Sequence, residues 1–283
     1  MRFQFIKAEK ANHSVALLCR VLQVTRAGFY AHLKRPASAR TRRERELKAM
    51  VRQVFQDHRG RYGSPRIHAE LKAQDEPVSR RRVARLMRAQ GLVSRPRPRF
   101  VVTTKADAAS KPAPNLVARN FCVAEPNRVW SGDITYFPTR EGWLYLAVML
   151  DLYSRRVVGW ATSESIDHEL VCSAFQSAIA QRSPKPGLIA HSDRGSQYTS
   201  YAYQTRLAAA GAACSMSARG ECWDNAVVES FNGSIKRELA LKPTVSRSEA
   251  HAAIFEYIEA YYNSKRRHST LDYLSPAEYE SRA

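Results

Sequence analysis

Three carboxylates mark the second half of the chain: Asp133 in VWSGDITYF, Asp193 at the end of GLIAHSD, and Glu229 in DNAVVESFNGSIKRE. Carboxylates gathered without His or Cys partners bind hard cations through oxygen, which favours Mg²⁺ or Mn²⁺ over zinc. Two such ions about 3.5 to 4 Å apart activate an attacking oxygen and stabilise the leaving one during in-line phosphoryl transfer. A phosphodiester is the matching substrate. Spacing alone leaves convergence open, because Asp at strand ends and Glu on helices are common.

The elements that must bring the three together follow from local pattern. Residues 129–137, 143–154 and 155–163 are rich in β-branched and aromatic side chains and are separated by hairpin-length gaps, which predicts three antiparallel strands. A helix over 168–182, a buried strand over 187–193, a helix over 201–210, the short strand AACSMS and a helix starting near Trp223 complete the order. This is an α/β core with a mixed five-stranded sheet, a class that places chemistry at strand ends. Asp133 falls on the first strand, Asp193 at the end of the fourth, and Glu229 on the last helix. Asn225 and Asn232 lie at i−4 and i+3 from Glu229, and Lys236 lies two turns on, so all four share one helix face.

The formal charge of +19 is unevenly spread: residues 1–119 hold 28 basic and 8 acidic side chains, residues 120–283 hold 17 and 18. A polyanion such as nucleic acid is the expected partner of the first half, and chemistry belongs to the second. Residues 1–40 contain a helix-turn-helix outline, with Val15, Leu18, Leu22, Phe29 and Leu33 at helical spacings and Thr25 as a cap; a plain bundle has the same pattern. Residues 41–93 form a second helical unit. Its first helix carries Leu47, Met50, Val51 and Val54 on one side, its second opens at Ser64 and Pro65, and its third is capped by Ser79 and ends at Gly91. That third helix buries Val83, Leu86 and Met87 and leaves Arg80, Arg81, Arg82, Arg85 and Arg88 to phosphate or solvent. Residues 94–119 read as a basic, Pro-rich linker, and 120–283 as the catalytic core with a terminal helix and basic tail. In that tail Phe255, Tyr257, Tyr261 and Tyr262 are expected in the core, while Lys265, Arg266 and Arg267 are candidates for holding target DNA.

Several classes are excluded. Five cysteines (Cys19, Cys122, Cys172, Cys214, Cys222) without a CxxC pair suggest neither a disulfide framework nor a zinc site and fit a reducing cytoplasm. No apolar run suits a signal peptide or a membrane span, so an unexported protein without membrane partners is expected. His191 and Arg194 form the HxxR of tyrosine recombinases, but nine residues past Trp223 stands Asn232, and the next tyrosine is Tyr257, so no nucleophile follows. His191 is read as a packed, hydrogen-bonded histidine, and Asp151 as a structural acid paired with Arg155 or Arg156.

The blocks WSGDITY, HSDRGSQY and DNAVVESFNGSIKRE resemble those of the DDE transposase and retroviral-type integrase superfamily, whose last Asp and Glu are thirty-five residues apart; here residues 194–228 intervene. RYGSPRIHAEL, VSRRRVARLMRAQGL, KPAPNL and YYNSKRRHSTLDYLSPAEYE further resemble the second-reading-frame catalytic product of a group of bacterial insertion sequences, so the resemblance covers nearly the whole chain. It implies a ribonuclease-H-like integrase core preceded by a small all-helical DNA-binding region, using two Mg²⁺ or Mn²⁺ ions. Water frees a 3′ hydroxyl at an element end, and that hydroxyl attacks a second phosphodiester without a covalent protein–DNA intermediate. Asp133 and Asp193 would bind or bridge the metals, Glu229 would complete the second site, and Lys236 would contact DNA, with Asn225 and Asn232 as further contacts on its face.

The partners implied are element ends and target DNA, further copies of the chain, and a first-reading-frame protein as partner or fusion. The compartment implied is the bacterial cytoplasm, at the nucleoid when DNA is bound. The 217–223 loop, with Gly220, is expected to be a mobile flap. The zinc knot of retroviral integrases and the heptad run of first-frame products have no counterpart in this sequence. A catalytically silent DNA-binding regulator of transposition is the alternative, although all three acids and Lys236 are retained. A nuclease on the same fold is a third reading.

Overall fold

The computed structural model describes residues 1–95, 113–218 and 221–282. It opens with α1 (Arg2–Glu9), α2 (Val15–Val21) and α3 (Arg26–Lys34). Ser14 and Thr25 cap the latter two by accepting from the amides of Leu17 and Gly28, at 3.3 and 3.0 Å, which satisfies donors a helix start otherwise leaves unpaired. Ile6, Leu18, Cys19 and Phe29 close into a small core of their own. The helix-turn-helix outline forms, and α1 joins it unannounced because its apolar residues keep no single face.

Next come α4 (Ala39–Asp57), α5 (Ser64–Ala73) and α6 (Arg80–Ala89). Ser79 caps α6 through the Arg82 amide at 3.3 Å, and Gly91 follows at φ +65, a left-handed conformation that residues with a Cβ rarely adopt. The start of α5 differs from expectation: Gly63 occupies the cap position, and Ser64 is already helical without a side-chain capping bond. Residues 96–112, most of the expected linker, lie outside the described residues. Its described end is fastened to the core, where the Leu116 amide donates to Ser215 Oγ at 2.9 Å and Val117 is buried.

The sheet begins as an antiparallel meander of β1 (Val129–Thr139), β2 (Gly142–Asp151) and β3 (Val157–Ser163). Helix α7 (His168–Arg182) crosses over, and β4 (Ile189–Ser192) then lies parallel to β1 on its other side. After α8 (Ser196–Thr199) and α9 (Tyr201–Ala209), β5 (Ala213–Met216) adds parallel to β4, giving the order β3-β2-β1-β4-β5. One face packs Trp130, Met149 and Val158 on Leu170, Phe175 and Ala178 of α7. A Cβ at Gly159 would stand 2.4 Å from both the Ala174 oxygen and the Ala178 nitrogen, so this close strand-to-helix approach needs glycine.

The other face packs Phe137, Leu146 and Val148 on Val228, Phe231 and Ile235 of α10 (Ala226–Leu239). Helix α11 (Arg247–Phe255) runs into a π-helical stretch, Glu256–Tyr262, and α12 (Pro276–Glu280) ends the described chain. Tyr257, Tyr261 and Tyr262 are buried as expected, whereas Phe255 is exposed and meets Trp160 only edge on. The buried tyrosines and the apolar residues of α4, α5 and α6 belong to one continuous core. His58 bonds Glu70 and the Tyr261 hydroxyl at 3.1 and 3.2 Å, and the Arg61 guanidinium lies over the Tyr261 ring at 4.3 Å.

Candidate active site

Parallel pairing brings two of the acids together. Val129, Trp130 and Ser131 of β1 stand opposite Ile189, Ala190 and His191 of β4. Two residues further along each strand come Asp133 and Asp193, so continuing the register sets one carboxylate opposite the other. Pairing stops at Ser131, so both acids lie just past the paired segment, and the carboxyl ends of strands are where open α/β sheets bind ligands. Asp133 accepts from the Ile134 amide at 2.9 Å and from Asn232 Nδ2 at 2.8 Å. Asp193 accepts from the Gly195 amide at 3.0 Å.

Helix α10 supplies the third acid and is stapled to β1. Ser131 Oγ donates to Asn225 Oδ1, and Asn225 Nδ2 donates to the Gly132 oxygen at 3.0 Å. Glu229 lies between Asn225 and Asn232 on the face that both fix against β1. Burial first, then the charges of Asp193 and Glu229, push the Asp133 carboxyl up to about 8. Burial raises Asp193, and burial with the Asp193 charge raises Glu229. Burial lowers the Lys236 ammonium, against the opposing pull of Asp133.

The arrangement is therefore a set of oxygen donors whose charges repel each other, which a divalent cation would relieve. Two buried polar atoms, Asn232 Oδ1 and the Tyr198 hydroxyl, have no hydrogen-bond partner. Both residues adjoin the acids: Asn232 bonds Asp133, and Tyr198 feels the charges of Asp133 and Asp193. Donor chemistry thus fits Mg²⁺ or Mn²⁺, although among the described residues no three acids yet surround one point as ligands of a single ion do.

Asp224, which sequence reasoning passed over, anchors the entry to α10. It is 3% exposed and accepts from the Ala218 amide, Asn115 Nδ2 and Arg119 Nε at 2.9, 2.9 and 2.7 Å. Its carbonyl oxygen accepts from His191 Nε2 at 3.1 Å. That bond requires a proton on Nε2, so Nδ1 of the neutral ring accepts from the Ser215 hydroxyl at 2.8 Å. Burial lowers the pKa of His191 and keeps it neutral. His191 is thus the packed, hydrogen-bonded residue expected. The only sequence signal for Asp224 was its place in the DN pair just before the helix of Glu229.

Other expected sites divide. Asn225 and Asn232 are 3% and 7% exposed and bond β1, which corrects their assignment as DNA contacts. Arg266 is also corrected: it is 2% exposed, and its guanidinium is held by buried Glu238 at 2.7 to 3.1 Å. Arg267 bonds Glu70 and the Tyr273 oxygen at 2.8 Å, clamping the tail to α5, so it too serves the fold. Lys265 is exposed. On α6, Arg80, Arg81 and Arg88 are exposed, while Arg85 and Arg82 approach Glu44 at 2.9 and 3.8 Å. Asp151 is structural, but its partners are the amides of Asn127 and Tyr153, at 2.6 and 2.8 Å, rather than an arginine. Arg156 pairs instead with Glu280 at 2.8 Å. Gly220, at the centre of the expected flap, lies outside the described residues.

Residues 123–222 and 210–276 match two models described as an integrase core domain, and residues 41–100 match an HTH-like domain. The chain is 40% identical to the transposase InsF for insertion sequence IS3A of Escherichia coli (strain K12), over 100% of this chain and 99% of that protein. It is 44% identical to the transposase for insertion sequence element IS904 of Lactococcus lactis subsp. lactis (strain IL1403), over 87% of this chain and 98% of that one. Among solved structures, the HTLV-2 integrase catalytic core domain in complex with magnesium aligns with a TM-score of 0.41 and 21% identity, over 55% of this chain and 97% of that chain. With a mixed-sheet integrase core, a helical HTH-like region and full-length identity to such relatives, the chain belongs to the insertion-sequence transposases.

Proposed function

We propose that this transposase works by a DDE mechanism, with Asp133, Asp193 and Glu229 as its catalytic acids. The observation that supports the reading is the proximity of the three acids: Asp133 and Asp193 each stand two residues beyond the paired β1–β4 segment, the charges of Asp193 and Glu229 help raise the Asp133 carboxyl, and Asn225 and Asn232 bond the helix of Glu229 to β1. The three acids would hold Mg²⁺ or Mn²⁺, two ions in this reading, which supply activation of the attacking oxygen and stabilisation of the leaving one. Asn232 and the Ile134 amide fix the Asp133 carboxylate in orientation. The Gly195 amide does the same for Asp193. Lys236, beside Asp133, is suited to hold the phosphate that precedes the scissile bond. The reaction begins with release of a 3′ hydroxyl at an element end by water and continues with attack of that hydroxyl on target DNA.

In the same reading, residues 41–93 grip DNA through the exposed arginines of α6, residues 1–40 add a smaller helix-turn-helix, and residues 120–283 carry the chemistry. Several copies would act together on DNA, with a first-reading-frame protein as partner or fusion, in the cytoplasm. Among the described residues no helix is long and apolar enough to cross a membrane. Asp133→Asn, Asp193→Asn and Glu229→Gln should each abolish strand cleavage and leave DNA affinity nearly unchanged. Cleavage retained by any one of them refutes the triad. A wild-type chain that binds element ends yet stays inert in Mg²⁺ and Mn²⁺, with the first-frame partner supplied, would identify a silent regulator.

A further inference from the structure

Beside the acidic site two large aromatic side chains stand open to solvent. Tyr136 on β1 is 36% exposed and Trp143 on β2 is 49% exposed. Their rings meet edge to face, 4.9 Å apart at 81°. The ammonium of Lys236 lies 4.2 Å from the centre of the Tyr136 ring. Alternation along β1 puts Tyr136 on the face opposite Asp133, while α10, which carries Lys236, packs on the Asp133 side. The two meet because β1 pairs with β4 only over residues 129–131. Beyond that point a long side chain can pass round the strand's edge, as Lys236 does.

We propose that Tyr136 and Trp143 form a stacking platform for an unpaired base of the DNA strand that is processed at Asp133, Asp193 and Glu229, with Lys236 holding the phosphate in between. The proposal rests on the DNA-processing reading above and adds the mode of strand recognition. Tyr136 is three residues from Asp133, about 10 Å at ~3.4 Å per residue, the length of about three base steps in a duplex strand. A base on this platform therefore belongs to the nucleotides next to the reacting phosphodiester. Proteins that hold single strands combine positive charge along the backbone with aromatic faces under the bases, and every base offers a π-face. Here the charge and the rings are in contact, since an ammonium over a tyrosine face is a cation–π pair. A role in the core explains the pair poorly, because both rings remain open to solvent.

The test uses the full chain in EDTA, so that nothing is cleaved, and a branched oligonucleotide carrying 2-aminopurine at each of the first few unpaired nucleotides in turn. Stacking should quench one or two of these positions. Tyr136→Ala and Trp143→Ala should each remove that quench and weaken the branched DNA by about 5-fold to about 100-fold, with affinity for fully paired duplex unchanged. Tyr136→Phe should keep both, since it keeps the ring. Quenching that survives both alanine variants, or equal loss on duplex and branched DNA, overturns the platform. Wild-type strand transfer in Mg²⁺ on the same DNA would show in that event that the proposed function stands. An altered oligomeric state at unchanged DNA affinity would reassign the patch to contact between copies and also overturn it. A wild type that neither binds nor rejoins the DNA removes the proposed function and the platform together.

Discussion

Asp133 is the residue on which the site turns, because its carboxyl is held on one side by a backbone amide and on the other by Asn232. A group that orients a metal-binding carboxylate typically changes activity or metal affinity 10- to 100-fold when removed. Asn232→Ala is therefore expected to lower strand cleavage by about 10- to 100-fold while DNA affinity stays near wild type, and higher metal concentration should recover part of the loss. Single-turnover cleavage across a Mg²⁺ titration measures this; an unchanged metal dependence would leave Asn232 with no part in positioning. The proposed triad comes from carboxylate type, the interval of thirty-five residues and the surrounding blocks. The inward turn of Asn225 and Asn232 was not legible there, since helix periodicity gives a face but not the neighbour that covers it.

At the scale of elements, the strand order follows from hairpin-length gaps and from a crossover helix too long for another hairpin, so the sheet could be anticipated nearly strand for strand. Its boundaries moved by only a few residues: β4 shortened to Ile189–Ser192, which ends one residue before Asp193 and frees that acid from the ladder. The π-helical stretch Glu256–Tyr262 and the short helices α8 and α12 had no usable periodic signal at their length. Helix α6 kept its predicted cap and apolar stripe, and it presents Arg80, Arg81 and Arg88 outward. If these grip phosphate, replacing all three by Ala should lower the slope of log K against log salt by up to about 0.9 per lost contact. Binding isotherms over a salt series on duplex DNA decide it, and an identical slope would take α6 out of the interface.

Across the whole molecule the helices α4 to α6 and the integrase core share one interior, so the HTH-like region and the core are mechanically joined. The tail makes the joint: Arg266 is held by Glu238, Arg267 by Glu70, and His268 Nε2 lies 3.3 Å from Arg266 Nη1. The basic tail looked like a DNA grip in the sequence because a charge run shows no sign of the buried acids that neutralise it in the fold. Burial, then the charges of Arg266, Arg66 and Arg155, push His268 down to about 2, so it is neutral in the folded protein. An unfolded chain takes up that proton near 6.5 and the folded one does not. His268 thus supports the fold fully above pH 6.5, and that support is lost as pH falls toward 2, by up to about 1.4 kcal/mol per pH unit. Replacing it with Gln should flatten the decline of thermal stability between pH 6.5 and 5, and parallel melting curves for the two proteins would contradict the buried neutral imidazole.

The proposed chemistry is polynucleotidyl transfer by three carboxylates and divalent metal. Its most direct measurement is rejoining of a branched DNA that mimics a strand-transfer product, with wild type and Glu229→Gln compared in Mg²⁺, Mn²⁺ and EDTA. Metal-dependent rejoining by wild type, absent in Glu229→Gln at equal DNA binding, is the predicted result. Rejoining in EDTA, or equal rejoining by the variant, would contradict that chemistry.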